Sequence, residues 1–237
     1  MVETQKECKY CLAQGSGNFC HVCGQKFKTE RLSLGSILHE VFHFFTHLDH
    51  GFPYTLKKLF TVPGKMQKEY IEGVRSKHQK PFSMFFLCAT IAALAMYWIN
   101  VLLIDHYNAG DNQEAVFFNK YWVLLQVVMV PFYALITYLF FRKAKFNYGE
   151  IAVLQLYVFS SLFIMLSCIH LLKLIFPHLQ TRYVELPVIM IYTIITNINF
   201  FTNLKKWEVI TLTILSISLS FLLASLIQDF LISLFSH

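Results

Sequence analysis

Charge is scarce in this chain: Asp, Glu, Lys and Arg together make up 14% of its 237 residues. A sequence that is 56% hydrophobic, with a mean hydropathy of +0.50, has too little polar surface to cover itself in water, which excludes an ordinary soluble domain. Acidic residues are rarer than basic ones, 14 against 20, and none lies at the middle of an apolar run, which argues against a proton- or sodium-coupled pump. Glycine and proline number nine and six, and no glycine-rich phosphate loop is present. Paired carboxylates are missing too, as is a nucleophile placed beside a base, so catalysis has no evident centre. The first 30 residues lack the apolar core of about 7 to 15 residues that a secretory leader needs; no cleavable signal peptide is expected, and the first long apolar run is expected to direct insertion.

What is abundant is hydrocarbon. A bilayer core needs about 20 apolar residues per helix, and residues 82–104, 121–141, 151–176, 186–204 and 209–235 each supply such a run. The fold class expected is an all-α integral membrane protein: a five-span membrane domain over 82–237, preceded by a zinc ribbon over 1–30 and an amphipathic interfacial collar over 31–81. Span four is the weakest, because Asn197, Asn199 and Asn203 put amides near its far end. Basic residues favour the cytoplasmic side. Twelve of the 20 precede Pro81, and Arg142, Lys143, Lys145, Lys205 and Lys206 bring the total on one side of a five-span topology to 17. The N-terminus is therefore expected in the cytosol and His237 outside. The net charge of +6 then reflects anionic membrane lipids as partners and not nucleic acid, since the basic residues are spread out and form no stripe.

The cysteines carry the sharpest chemistry. Cys8 and Cys11, then Cys20 and Cys23, make two Cys-x-x-Cys knuckles, and four thiolates fill the tetrahedral shell of one Zn2+ ion. A filled shell is structural, because a catalytic zinc keeps a position open. Redox pairs or disulfides are the competing readings, disfavoured in a reducing cytosol. Gly24 suits the tight turn after the second knuckle. His21 could also ligate, although four cysteines already suffice.

Between head and spans, the pattern predicts a helix from Ser33 or Ser36 to about residue 49, ended by Gly51 in the position where positive φ is usual. A second helix is expected near Thr55, with Leu56, Leu59 and Phe60 on one side, and a third from Met66 to about Val74. His39, Glu40 and His43 spell His-Glu-x-x-His, a zinc-protease pattern, and define a possible second metal or pH site. A third ligand is missing, since His47 would lie about 12 Å along the helix from His39. Within the spans, Gln126, Gln155, His170, Asn197 and Asn199 form a possible membrane-interior polar site. Gly73 is expected to let helices approach, and Arg75 and Lys77 to meet phosphate headgroups.

The run Cys8-x-x-Cys11, Cys20-x-x-Cys23-Gly24-Gln25, then Thr55-Leu56-x-x-Leu59-x-x-x-Pro63-Gly64 and Tyr70-Ile71-x-Gly73-x-Arg75 with Pro81 beyond, resembles an uncharacterised family of bacterial membrane proteins, common in Bacteroidota, that joins a zinc ribbon to a multi-span domain. The resemblance covers roughly the first 90 residues and implies no activity. The overall plan also looks like that of Yip1-type membrane proteins of vesicle traffic, by topology alone. Three functions are compatible with these features: a membrane adaptor whose head binds a protein partner; an oligomeric channel or pore, an effector in envelope stress or phage defence, lined by span four; and a zinc metalloprotease. The first is the leading expectation. A protein partner or a homo-oligomer is expected.

Overall fold

The computed structural model describes residues 6–27, 51–107, 113–176 and 179–235. Among these, two short strands, β1 (Lys6–Glu7) and β2 (Gln14–Gly15), precede seven α-helices: α1 (Phe52–Thr61), α2 (Lys65–Glu72), α3 (Pro81–Tyr107), α4 (Gln113–Phe140), α5 (Tyr148–Leu171), α6 (Arg182–Phe200) and α7 (Lys206–Phe235). Single 3-10 turns at Arg142–Ala144 and Leu172–Leu174 follow α4 and α5. The helix expected over 33–49, with His39, Glu40 and His43, lies outside the described residues.

Five helices, α3 to α7, are long and apolar enough to cross a membrane, in agreement with the five runs counted in the sequence. The middle one, α5, is the hub: 72% of its apolar window is buried, and it packs on α3, α4 and α6. By contrast α7 buries only 11% of its window, resting on α4 and α6. Asn147 and Glu150 start α5 with a reciprocal capping box, the asparagine side chain accepting from the Glu150 N–H and the carboxylate from the Asn147 N–H, both at 2.8 Å. At the same end of the bundle Phe141 stacks on Phe201 with centroids 4.0 Å apart, Phe146 lies against Phe200, and Asn203 donates to the Ala144 carbonyl, tying the α4–α5 connection to the α6–α7 connection.

Span four begins four residues earlier than the sequence suggested, at Arg182, and ends at Phe200. Its asparagines do not weaken it. Asn197 donates to Thr213 of α7, Asn199 to the Pro63 carbonyl, and Asn203 lies past the helix end. Amides near a helix terminus find partners in the neighbouring elements.

The largest departure concerns the collar. Helices α1 and α2 form a hairpin that packs into the bundle against α5 and α6, with Leu59, Met66 and Tyr70 buried. The expected apolar side is only partly right, since Leu59 is enclosed while Phe60 remains exposed. Apolar contact alone drives little association among helices in lipid, so the polar ties matter. The single hydroxyl proton of Tyr192 of α6 is shared between Ser161 Oγ of α5, at 2.7 Å, and the Leu59 carbonyl, at 3.3 Å, one of the orphan carbonyls at the end of α1. Tyr157 of α5 donates to the Gln79 carbonyl, and the Gln79 N–H donates to Thr55.

Two glycines take roles other than those expected. Gly51 has φ −83° and precedes α1; it is needed for space, because a Cβ there would come within 2.8 Å of the Lys77 carbonyl and the Gln79 nitrogen. Gly73, at φ 114°, ends α2 in the left-handed conformation and does not mediate helix approach.

His78 is enclosed between Tyr54 and Tyr70, and burial first, then the charge of Lys58, holds its pKa down to about 4. An unfolded histidine titrates near 6.5, so below that pH the unfolded chain takes up a proton that the folded one refuses. Stability is therefore expected to fall as pH drops from about 6.5 to 4, by up to about 3 kcal/mol. Melting temperatures of the detergent-purified protein and of His78→Gln across this window check it: the variant should lose part of the acid sensitivity.

Candidate functional site

The four cysteines predicted as ligands are brought together. The Sγ atoms of Cys8, Cys11, Cys20 and Cys23 all lie within 4.8 Å of one another, with Cys8–Cys23 and Cys11–Cys20 at 3.5 Å, and none is in a disulfide. Sulfurs about 2.3 Å from a tetrahedral ion stand about 3.8 Å apart, so the cluster can hold a metal ion. Among the described residues it is the one such group of three or more His, Cys, Asp or Glu side chains. His21 is exposed and stands apart from it.

The two knuckles are built alike. The Leu12 N–H donates to the Cys8 carbonyl at 2.9 Å and the Gly24 N–H to that of Cys20 at 2.8 Å, while Leu12 and Gly24 take φ values of 60° and 72°. Backbone amides then point at sulfur. Burial raises the Cys8 thiol, but the N–H groups of Cys11 and Tyr10 and the adjacent thiols outweigh it and bring the pKa down to about 7. The Cys23 N–H, acting against burial, likewise lowers Cys20. The N–H groups of Ala13 and Gln25 favour the other two thiolates, yet burial and the neighbouring sulfurs push both up, Cys23 to about 12. The cluster would carry four thiolates only with a cation among them, which is the chemistry a bound metal ion would supply.

Gln25 fastens the head to the membrane domain. Its Nε2 donates to the Gly73 carbonyl at 2.9 Å, and its Oε1 accepts from the N–H groups of Arg75 and Ser76 at 3.1 and 2.8 Å. Lys9 adds a bond to the Glu72 carbonyl, and Lys77 lies 4.8 Å over the Tyr10 ring. Arg75 donates to the Tyr70 carbonyl and lies over the ring of Tyr70. Lys77 and Arg75, expected at headgroups, are thus engaged within the chain. Gln25→Ala is expected to leave metal content unchanged while amide exchange of residues 73–76 accelerates, since the Arg75 and Ser76 N–H groups lose their acceptor.

The membrane-interior residues divide. Gln126, Gln155, His170 and Asn197 all line a cleft of about 850 Å³ bounded by the five long helices, whereas Asn199 is spent on the hairpin turn. Gln155 donates to Thr137 at 2.7 Å, and Gln126 accepts from Tyr133. His170 Nδ1 is 3.0 Å from the Leu166 carbonyl and 3.4 Å from Glu185. Sequence reading missed Glu185, because it placed the start of span four one residue too late to include it.

Residues 49–93 match the family model described as protein of unknown function (DUF3667). The matched stretch runs through the α1–α2 hairpin, the turn that receives Gln25, and the first half of α3. The likeness to an uncharacterised family thus holds for the hairpin region, while the cysteine head and the later spans lie outside the match. No curated protein and no solved structure matches the chain.

Proposed function

We propose that this protein is a membrane-embedded adaptor of the bacterial inner membrane, with a structural zinc ribbon on the cytosolic side that binds a protein partner. The observation that carries this reading is the exposed apolar surface of the head. Leu12, Phe19 and Val22, in or beside the knuckles, are 68%, 57% and 64% exposed, while Gln25 ties the head to the bundle. Single exposed apolar residues are ordinary; three on a head this small, held away from the hairpin, suit a docking surface. Four thiolates in a closed shell favour zinc over harder cations. The basic loops Arg142–Lys145 and Lys205–Lys206 lie at the same end as the head, which supports a cytosolic placement by the charge rule.

Detergent purification followed by mass spectrometry of crosslinked chains tests the adaptor role. The wild type should carry a stoichiometric partner that Val22→Asp loses while keeping its metal. A partner retained by Val22→Asp and by Leu12→Asp, or none in the wild type, refutes the reading. The channel alternative draws support from the thinly covered α7 and the cleft beside it, though Asn199 is committed to the hairpin. His39, Glu40 and His43 contribute nothing to the choice, being outside the described residues.

A further inference from the structure

We propose that the cleft between the spans is a hydrated vestibule that admits water and small hydrogen-bonding solutes from the end of the bundle remote from the cysteine head. Its volume of about 850 Å³ lies in the range of ligand sites, and at about 30 Å³ per water it takes a few tens of molecules. The wall supplied by α7 includes Ser216, Ser220, Ala224 and Gln228, small or polar residues spaced every four along one helix face, with the apolar Ile217 and Phe221 beside them. Leu215 and Leu219, beside that stripe, are exposed on the outside of the bundle.

At the inner end Asn197 is 1% exposed; its Nδ2 donates to Thr213, and its Oδ1 faces no protein donor. Near the mouth, Glu185 Oε1 likewise has no hydrogen-bond donor among the described residues, although His170 is close. An acyl chain filling the cleft would leave these acceptors unpaired in a medium of low dielectric, at a cost of several kcal/mol each. Water, or a solute hydroxyl or amine, pairs them. Beyond Asn197 toward the head, the stacked Phe141 and Phe201 with Phe200 beside them are all buried. Arg182, Glu185 and Gln228 lie at the other end. The proposed mouth is therefore the end that holds Arg182, Glu185 and Gln228.

Cysteine scanning in sealed vesicles tests this, in a chain carrying Cys88→Ala and Cys168→Ala, with the head sulfurs read separately by peptide mass. The probe is a membrane-impermeant methanethiosulfonate bearing a small ammonium group, applied to either face. Gln228→Cys should react from one face and so mark the mouth. Ser220→Cys and Ser216→Cys should then react from that same face, and Leu215→Cys and Leu219→Cys from neither. Thr193→Cys, on α6, provides an independent position if the α7 variants fold poorly. The proposal is overturned if the inner positions stay unmodified while Gln228→Cys reacts, an outcome that co-purified lipid would attribute to a hydrocarbon-filled cleft. Reaction of Ser216→Cys from the head face, or no reaction at Gln228→Cys, overturns it equally.

Discussion

Gly64→Ala is expected to destabilise the helical bundle by about 3 kcal/mol or more. Gly64 stands between α1 and α2 at φ 82°, outside the conformations that side chains favour. Adopting it costs an L-residue about 1 to 2 kcal/mol. A Cβ would also run into the Thr196 carbonyl oxygen, into Asn199 Cβ at 2.6 Å and against the Phe200 nitrogen at 3.0 Å. Two of these are backbone atoms of a helix, which yield little, and overpacking of this kind costs a further 1 to 3 kcal/mol, roughly. The hairpin must then lift from α6, breaking the bond from Asn199 to the Pro63 carbonyl. Thermal unfolding in detergent and protease cleavage between residues 57 and 68 measure the change. A melting temperature within a degree of wild type would contradict the close packing described.

Removal of the metal, by chelation or by Cys20→Ser, is expected to abolish the fold of the head while leaving the helices intact. The head's apolar core consists of Cys8, Cys20 and Phe27, with Tyr10, Cys11, Ala13 and Cys23 packed partly against it. So small a core cannot offset the chain entropy of about 20 ordered residues. A structural zinc contributes on the order of 10 to 16 kcal/mol in modules of this kind. Amide exchange should show residues 6–27 losing protection together, with far-ultraviolet helix content unchanged. One metal equivalent that disappears in Cys20→Ser is the accompanying observation. Because thiols must release protons to bind, acid should favour loss of the ion. A head that stayed protected in chelator would refute the assignment.

How much of this was readable in advance depends on the range of the interaction. The cysteine spacing is local, and the geometry that four sulfurs impose on about 16 residues was legible from the spacing itself. The same holds for the five spans, because the length and apolarity of each run are properties of contiguous chain. The two hairpin helices were legible, but the surface they pack on was not. Leu56, Leu59 and Phe60 indicate a helix with an apolar side, but whether that side meets headgroups or protein depends on Tyr192 and Asn199, more than 130 residues away. Gln25 shows the same limit: it follows the second knuckle as an unremarkable polar residue, and only the fold brings it to Gly73, Arg75 and Ser76. The internal polar site was half visible. Gln126, Gln155, His170 and Asn197 stand out as amides and imidazole in apolar runs, whereas the serines of α7 do not, since serine is common in membrane helices.

The three bonds of Gln25 also have a mechanical meaning. They converge on the short segment between α2 and α3, which is both the exit of the inserted hairpin and the threshold of the first long helix. A displacement of the head would be passed through these bonds to the hairpin and to the first long helix together. The glutamine thus serves as a hitch between the head and the two helices that flank this segment.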